Sequence, residues 1–496
     1  MSQTRPPIVS PLIWSTVSSL GTQLLSFVTF AVLARLLGAG PFGLVALAAL
    51  VIDLLLVISS AGINEAVIQR RTLEDGDADT AFWANLACGA VFCLMTIAAA
   101  PLIAKLFGQP SLTPIVAALA SIFAITPLGA IHTAILTREL RFRSVAARNI
   151  AASLAGAAVG LPLAFLGFGA WALVAQRIAS AVAMAVSVWA SYPWLPTARF
   201  RRATCWELVR FGGFMGASRT LNQLNIRSAE LISGALVGPV SVAFIRAGSR
   251  IVEVLNQITF MPFQQISMPI LTRVTDEPAE LRETYLRLSR LSSFIMFPAF
   301  FGCLAVAPQI VILIFGPGWE PVTDAIRIFA CAVVASQMNN LIVAVIAACG
   351  ESRTVLSWTS VQIVVGGIAA VAVARWGWQA MLMTGVARGY LILPYGFHLL
   401  RRHTGIRFRE VFASLLPATT SSGAMAIFVL LGTYWTKDRL APAAILALWM
   451  PLGALGYLAL YLLQDRSILL QLREALQSRR GAAVVSATSA GPACNS

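Results

Sequence analysis

The sequence is poor in charged residues. Asp, Glu, Lys and Arg make up only 11% of its 496 residues, whereas a soluble domain carries about 25%. Hydrophobic residues make up 58%, and the mean hydropathy is +0.79, so the composition excludes a water-soluble protein. At about 20 apolar residues per crossing, the chain has room for about a dozen or more membrane-spanning helices. Large catalytic domains outside the membrane are excluded as well.

Residues that ligate metals are also scarce. The three histidines and seven cysteines are scattered, without CxxC or mixed His/Cys spacing, so we assign no metal and no cofactor. The sequence contains no P-loop, nucleophile elbow or HExxH motif, which argues against an ATPase motor and against an enzyme. Residues 1–10 precede an apolar run without a small-residue cleavage site, so we expect a retained span.

Apolar runs of helix length predict an all-α polytopic membrane protein with about fourteen transmembrane helices, and a twelve-helix count is the alternative. The candidate segments are 11–36, 42–62, 81–104, 113–136, 145–166, 170–192, 208–236, 241–271, 291–315, 324–349, 354–374, 379–399, 411–431 and 443–463. Segments seven and eight are too polar to face lipid on all sides.

The basic residues predict the orientation. Alternate connections hold 24 basic residues on one side and five on the other. Short cytoplasmic connections retain Arg and Lys, so both termini are expected in the cytoplasm of a bacterial inner-membrane protein. Most of the net charge of +15 is then a topology signal and a contact with anionic membrane lipids. Nucleic acid is therefore not an expected partner.

Segment seven carries a polar stripe. Arg219, Gln223, Arg227 and Glu230 are spaced by four, four and three residues, which puts them on one helical face, and Asn222 lies beside them. An arginine facing lipid costs about 2.5 to 3.5 kcal/mol on the insertion scale, so these side chains are expected to face protein or water.

Segment eight repeats the arrangement. Its stripe contains Arg246, Arg250, Glu253 and Gln257. A purely structural interpretation pairs the arginines and glutamates at i,i+3 within segments seven and eight, so that they only knit the helices together. That interpretation leaves two arginines, at positions 219 and 246, without an obvious local acid.

An excess of positive charge at bilayer depth predicts a site for an anion, and arginine favours phosphate or pyrophosphate. The expected substrate-binding residues are Arg219, Asn222, Gln223, Arg227, Arg246, Arg250 and Gln257. Three carboxylates, Asp53, Glu230 and Glu253, are candidates for ion coupling or charge pairing. Asp53 lies in segment two, and its role as a coupling site or as a counter-ion of arginine is left open.

Several stretches resemble the polysaccharide flippases of the MOP (multidrug/oligosaccharidyl-lipid/polysaccharide) exporter superfamily, in particular the Wzx-like lipopolysaccharide and exopolysaccharide translocases. These stretches are ARLLGAGPFGLVALA (34–48), GINEAVIQRRTL (62–73), PLIAKLFGQPSLTPI (101–115), LTRELRFRSVAARN (136–149), GFGAWALVAQR (167–177) and LIFGPGWEP (313–321). Together they cover most of the first 350 residues.

The resemblance implies two six-helix lobes around a central cavity lined by helices one, two, seven and eight. We place the N-terminal lobe at 1–195, the C-terminal lobe at 196–403, an appended helix pair at 404–463 and a cytoplasmic tail at 464–496. The implied substrate is a lipid-linked oligosaccharide on undecaprenyl pyrophosphate, moved from the cytoplasmic to the periplasmic leaflet. Pathway logic adds a glycan polymerase and glycosyltransferases as partners.

Three other functions compete with flipping. A drug or small-metabolite antiporter on the same scaffold would be expected to have acids, not arginines, dominating its cavity. A glycan polymerase or ligase would make a new covalent product. A scaffold for glycan-assembly enzymes would tolerate the loss of every cavity charge.

Overall fold

The computed structural model describes residues 9–60, 62–70, 76–139, 141–191 and 194–466. Within these ranges the chain is helical and contains no strand. The helices are α1 (Val9–Leu37), α2 (Ala39–Ser59), α3 (Ile63–Gln69), α4 (Asp77–Leu106), α5 (Leu112–Leu119), α6 (Ser121–Arg138), α7 (Phe142–Phe165), α8 (Ala170–Ser191), α9 (Arg202–Leu236), α10 (Pro239–Thr259), α11 (Met261–Arg273), α12 (Pro278–Ala305), α13 (Ala307–Ile314), α14 (Val322–Cys331), α15 (Val333–Ala348), α16 (Ser352–Ala372), α17 (Trp378–Leu391), α18 (Leu393–Thr404), α19 (Phe408–Thr436) and α20 (Pro442–Gln464).

Each of the fourteen predicted segments coincides with one helix or with two helices separated by a single residue. The interrupted segments correspond to α5–α6, α10–α11, α12–α13, α14–α15 and α17–α18. The short helix α3 was not predicted. Among the described residues, eight helices are long and apolar enough to cross a membrane, or nine if the bent pair α14–α15 is one span. The number of fourteen crossings therefore stays a prediction.

Two predicted helix starts are wrong. α9 begins at Arg202 rather than near 208, and α12 begins at Pro278 rather than near 291. The extra residues contain Arg202 in α9 and three arginines in α12, and arginine was assigned to connections because it is not apolar. Arginine is nevertheless a good helix former, so the helix continues past the point where the apolar pattern stops.

The described chain forms two compact units. The first contains the residues up to Val254 together with Val311–Phe329 and Leu356–Arg388. The second contains Leu255–Ile310, Ala330–Val355 and the residues from Gly389 onward. The first unit thus combines the predicted N-terminal lobe with α9 and most of α10. The lobe boundaries stay predictions.

In the first unit, small residues let α7 and α8 pack closely. A Cβ on Gly156 would lie 2.1 Å from Ser180 Oγ, and one on Gly160 would lie 2.7 Å from Gln176 Cβ. These glycines are four residues apart and therefore share one helix face, the arrangement that brings membrane helices into close contact. The contact fixes α8, which carries Arg177.

Backbone contacts hold α2 and the turn that follows it against α9 and α10. Near the start of α2, a Cβ on Gly43 would lie 2.1 Å from the carbonyl oxygen of Pro239. Just beyond its end, a Cβ on Gly62 would lie 2.0 Å from the carbonyl oxygen of Gly212. Gly62 also has a φ of +69°, a conformation that disfavours other residues. Glycine is therefore required at both contacts.

The GPGW stretch at 316–319 forms an aromatic cluster with neighbouring helices of the first unit. Trp319 is 1% exposed. Its ring centroid lies 5.6 Å from that of Phe42, 5.4 Å from that of Phe315 and 6.1 Å from that of Phe244. Phe30 packs on Phe42 at 5.1 Å. The edge-to-face and tilted geometries are those that aromatic pairs prefer, and they fix the beginning of α2.

In the second unit, α12 packs against α15 and α19. The buried Gln337 amide on α15 donates to Ser289 O at 2.9 Å and to Ser292 Oγ at 2.7 Å. The Tyr457 hydroxyl on α20 donates to Phe294 O at 2.8 Å. Buried polar groups between membrane helices have to be satisfied internally, and these contacts attach α15 and α20 to α12.

Candidate functional site

The first unit encloses a polar cavity of about 260 Å³ between α1, α2, α8, α9 and α10. Its lining residues are Ser26, Phe30, Leu33, Phe42, Val45, Ala46, Ala49, Leu173, Gln176, Arg177, Arg227, Arg246, Arg250 and Glu253. α2 and α8 are apolar enough to cross a membrane. The cavity therefore lies at membrane depth while its wall carries four arginines.

The arginines belong to a continuous row of ion pairs. We call it the ion chain, and its members in order are Arg177, Asp53, Arg246, Glu230, Arg227, Glu253 and Arg250. Cations and anions alternate along it, and both ends are arginines. The formal charge of the ion chain is therefore +1, from four guanidinium groups and three carboxylates.

The first half of the ion chain joins α8, α2, α10 and α9. Arg177 Nη2 donates to both Asp53 oxygens, at 3.2 and 3.1 Å. Arg246 Nη2 lies 3.6 Å from Asp53 Oδ2, and Arg246 Nη1 donates to Glu230 Oε2 at 3.1 Å. Glu230 is buried, so these contacts supply the partners that a buried charge requires.

The second half joins α9 and α10 to α1. Arg227 Nη1 donates to Glu230 Oε1 at 2.8 Å, and its Nη2 lies 3.6 Å from Glu253 Oε1. Arg250 Nη1 lies 3.4 Å from Glu253 Oε2. The Nη2 of the same guanidinium donates to Ser26 Oγ at 2.9 Å and to Gln23 Oε1 at 3.2 Å. Five helices, α1, α2, α8, α9 and α10, thus meet at one charged network.

The i,i+3 pairs within α9 and α10 are present, as the structural interpretation of the stripes expected. Arg246 was expected to lack an obvious local acid, and in the structure two acids from other helices, Glu230 and Asp53, contact it. Glu230 lies sixteen residues away on the neighbouring helix, and Asp53 lies on α2. Spacing along a single helix cannot reveal partners that tertiary packing supplies.

Asp53 is a counter-ion of two arginines, which was one of the two roles left open for it. A part in ion coupling stays a prediction. Arg177 was not among the predicted site residues. The available signal was its position eight residues into the predicted helix 170–192, where an arginine needs a partner. Its partner could not be identified from the sequence.

Four of the predicted binding residues lie elsewhere than on the cavity wall. Arg219 and Asn222 are exposed on α9, and Gln223 is half-buried there. Gln257 is half-buried and lies in the second unit, beyond Val254. Their assignment to substrate stays a prediction.

The chain resembles known polysaccharide biosynthesis proteins. Residues 32–324, more than half of the chain, match the family model described as "Polysaccharide biosynthesis protein". The succinoglycan biosynthesis transport protein ExoT of Rhizobium meliloti (strain 1021) is 24% identical over 472 residues, which cover 94% of this chain and 95% of that protein. The lipopolysaccharide biosynthesis protein WzxC of Escherichia coli (strain K12) is 25% identical over 451 residues, covering 86% and 88%.

Solved structures with the same fold include transporters of two kinds. The lipid II flippase MurJ in an inward closed conformation superposes with a TM-score of 0.75 at 12% identity, covering 92% of this chain and 100% of that chain. An inward-facing multidrug resistance MATE family transporter of the MOP superfamily gives a TM-score of 0.56 at 16% identity, covering 79% and 94%. The predicted all-α, MOP flippase-like fold is confirmed.

Proposed function

We propose, from the fact that the chain belongs to the polysaccharide biosynthesis protein family and is a multi-pass membrane protein, that it flips a lipid-linked oligosaccharide across the membrane. The substrate is an oligosaccharide on a polyprenyl pyrophosphate, with undecaprenyl as the expected lipid. It moves from the cytoplasmic to the periplasmic leaflet by alternating access, for polysaccharide biosynthesis or export. The protein acts in the bacterial inner membrane, with both termini in the cytoplasm.

The observation that carries the proposal is the ion chain on the cavity wall. Its four arginines exceed its three carboxylates by one, in a cavity walled by helices that are apolar enough to cross a membrane. Arginine holds phosphate oxygens through parallel hydrogen bonds and carries a full charge. A pyrophosphate is therefore the chemical group that this cavity suits.

Glu253 marks where the pyrophosphate would enter. Its side chain is 39% exposed, compared with 5% for Glu230. Its contacts to Arg227 and Arg250, at 3.6 and 3.4 Å, are among the longest in the ion chain. An arriving diphosphate displaces a solvent-exposed carboxylate with long contacts more easily than a buried one, because less desolvation free energy is involved. The two arginines then hold the headgroup while the lipid tail stays in the bilayer.

The present cavity is small for the proposed substrate. Its volume of about 260 Å³ is below the roughly 300–1,000 Å³ of typical ligand sites. A diphosphate that carries an oligosaccharide needs more room than this, so its binding requires the helices to separate. The close contacts at Gly43 and Gly62 hold α2 in place until that happens.

The membrane potential favours export. With the cytoplasm negative, outward movement of about two negative charges is favoured by roughly 4 to 5 kcal/mol at 100 mV. The unloaded cavity carries a net positive charge, so the negative cytoplasm favours its return to the inward-facing state. A potential alone would then drive net transport, and an antiported ion is not required.

A drug or small-metabolite antiporter is the alternative, because the multidrug transporter described above shares the fold. The balance of charge distinguishes the two functions. A cationic drug calls for a net acidic site, whereas the ion chain is net basic. A flippase also implies glycosyltransferases and a glycan polymerase as pathway partners.

Proteoliposomes containing a fluorescent polyprenyl-pyrophosphate oligosaccharide test the proposal. Access of an impermeant quencher to the probe reports its leaflet, with and without a negative-inside potential. We expect protein-dependent movement that is lost in Arg250→Gln and retained in Arg375→Gln, whose side chain is exposed outside the cavity. The same proteoliposomes are also loaded with a fluorescent cationic drug, and folded protein that moves this drug but not the glycolipid would support the antiporter instead. Equal glycolipid movement in both variants would remove the ion chain from the mechanism.

A further inference from the structure

The connection between α8 and α9 is strongly basic. Together with the first turns of α9, it contains four arginines and one glutamate between residues 199 and 210. The arginines are Arg199, Arg201, Arg202 and Arg210, and all four are exposed. The glutamate, Glu207, lies 3.0 Å from Arg70 of the preceding α3 region. The acid is thus already paired, and the surface it leaves is positive.

The connection is attached firmly to the start of α4. Asp79 accepts from the backbone N–H of Thr197 at 3.0 Å and from its hydroxyl. The indole of Trp83 donates to Thr197 O at 2.9 Å. Four residues on, the N–H of Arg201 donates to Thr80 Oγ1 at 3.1 Å. The middle of the connection and its last residue are therefore held by neighbouring side chains of α4.

A buried histidine on α6 holds Trp194, near the beginning of the connection. His132 Nε2 lies 3.0 Å from Trp194 O, and its ring packs at 5.0 Å from the rings of both Trp194 and Trp189. Trp194 also packs edge-on against Phe82 at 6.2 Å. This arrangement agrees with the usual role of a lone intramembrane histidine as a packed residue. It anchors the connection at a third point.

Three large apolar side chains on this fixed segment nevertheless point outward. Leu195 and Trp206 are each 69% exposed, and Phe200 is 54% exposed. A shallow groove runs between Phe200 and Trp206, and its lining residues are Phe200, Arg202, Cys205, Trp206 and Val209. Because the backbone is held by hydrogen bonds, the exposure is a property of the surface and not of a loose loop. We call this surface the basic aromatic groove.

The basic aromatic groove lies at a membrane surface. α4 and α8 are both long and apolar enough to span the bilayer, and the groove is attached to the first turn of α4 and follows the last turn of α8. Tryptophan is enriched at this depth, where its ring contacts the boundary between headgroups and acyl chains. Arginine at the same depth attracts anionic lipids.

We propose that the basic aromatic groove binds the headgroup of an anionic phospholipid of the surrounding bilayer. Arg202 contacts the lipid phosphate, and Phe200 and Trp206 pack against the upper acyl chains. Two features select a lipid over a protein partner. The described residues 199–210 carry a net positive charge, which is complementary to an anionic leaflet, and the apolar side chains adjoin helices that enter the bilayer. The groove is distinct from the cavity and does not depend on the transported substrate.

Quenching of tryptophan fluorescence by brominated lipid tests this proposal. The full-length protein is reconstituted with a fixed fraction of brominated phosphatidylglycerol or of brominated phosphatidylcholine. The signal of Trp206 is the difference between the wild-type protein and Trp206→Phe, which conserves the aromatic ring. We expect half-maximal quenching of this signal at a mole fraction of anionic lipid that is about five-fold or more below that of neutral lipid. One arginine near an anionic surface contributes about 1 kcal/mol, which corresponds to this ratio.

Matched variants test whether the arginines of the groove cause the preference for anionic lipid. Arg202→Gln should remove most of the preference, whereas Arg439→Gln, exposed on the α19–α20 connection, should keep it. Added salt should weaken the preference. Equal quenching by the two lipids in wild-type protein would overturn the proposal, and so would a preference that survives Arg202→Gln together with Arg199→Gln. Protection of Trp206 from both lipids would show that a protein covers the groove and would also overturn it.

Discussion

Arg177 on α8 binds both carboxylate oxygens of Asp53 on α2, at 3.2 and 3.1 Å. Arg177 comes at the end of the stretch GFGAWALVAQR and Asp53 follows the stretch ARLLGAGPFGLVALA, so the pair connects two regions that carry the family resemblance. It is also one end of the ion chain, where the carboxylate is shared with Arg246. The pair therefore links the packing of α2 and α8 to the charge of the cavity.

This pair can be tested by a double-mutant cycle. Asp53→Asn removes the carboxylate that pairs with Arg177, Arg177→Gln leaves Asp53 with Arg246 alone, and the double variant removes both charges. Because both side chains are about 30% exposed, we expect a coupling free energy of about 1 to 2 kcal/mol rather than the value of a fully buried pair. Thermal unfolding of the four purified proteins measures it. Additive losses would mean that the contact contributes nothing to stability.

Arg250 is expected to be essential for transport. Its guanidinium contacts Glu253, Ser26 and Gln23 together, and a charge-assisted hydrogen bond is worth about 1.5 to 3 kcal/mol. We expect Arg250→Gln to lower the flipping rate by about ten-fold or more, and Arg250→Lys to restore only part of it because lysine lacks the planar fork. A full rescue by lysine would mean that charge alone suffices.

Trp319 is expected to support the cavity wall. It is fully buried and contacts Phe42, which lines the cavity. Truncation of a buried tryptophan costs about 3 to 5 kcal/mol, so Trp319→Ala should lower the unfolding temperature strongly, whereas Trp319→Phe should retain most of it. Trp376→Ala is the matched control, since that ring is 62% exposed. Similar unfolding temperatures for the two alanine variants would contradict the packing argument.

Gly43 is expected to hold the cavity closed. A methyl group there meets the backbone of Pro239, which cannot move aside as a side chain can, so α2 must separate from α10. We expect Gly43→Ala to accelerate the labelling of Ala46→Cys, on the cavity wall, by an impermeant maleimide in a background without other cysteines.

Gly40 provides the control on the same helix. A Cβ at this position would meet nothing within 4 Å, so Gly40→Ala changes helix propensity without forcing a contact apart. Its labelling rate should equal that of the parent protein. Equal rates for Gly43→Ala and the parent would show that the close contact does not limit access to the cavity.

The sequence predicted the position of every long helix because apolar runs of that length have few other solutions in a membrane. It also predicted the stripes on α9 and α10, since side chains three and four residues apart share a face. It did not predict the partners of Arg246, or the single residues at which α10–α11 and α14–α15 break. The partners of Arg246 depend on contacts between helices that are distant in sequence, whereas the break before α11 coincides with Pro262 in its first turn.

The sharing of partners along the ion chain has a kinetic consequence. Each carboxylate is held by two arginines, and Arg246 and Arg227 are each held by two carboxylates. Breaking any interior link therefore leaves every charge with one remaining partner. Helices can exchange interior contacts one at a time, and no such step isolates a bare ion in a medium of low dielectric constant. The network thus stabilises the packed helices and also offers a low-barrier path for them to slide past one another.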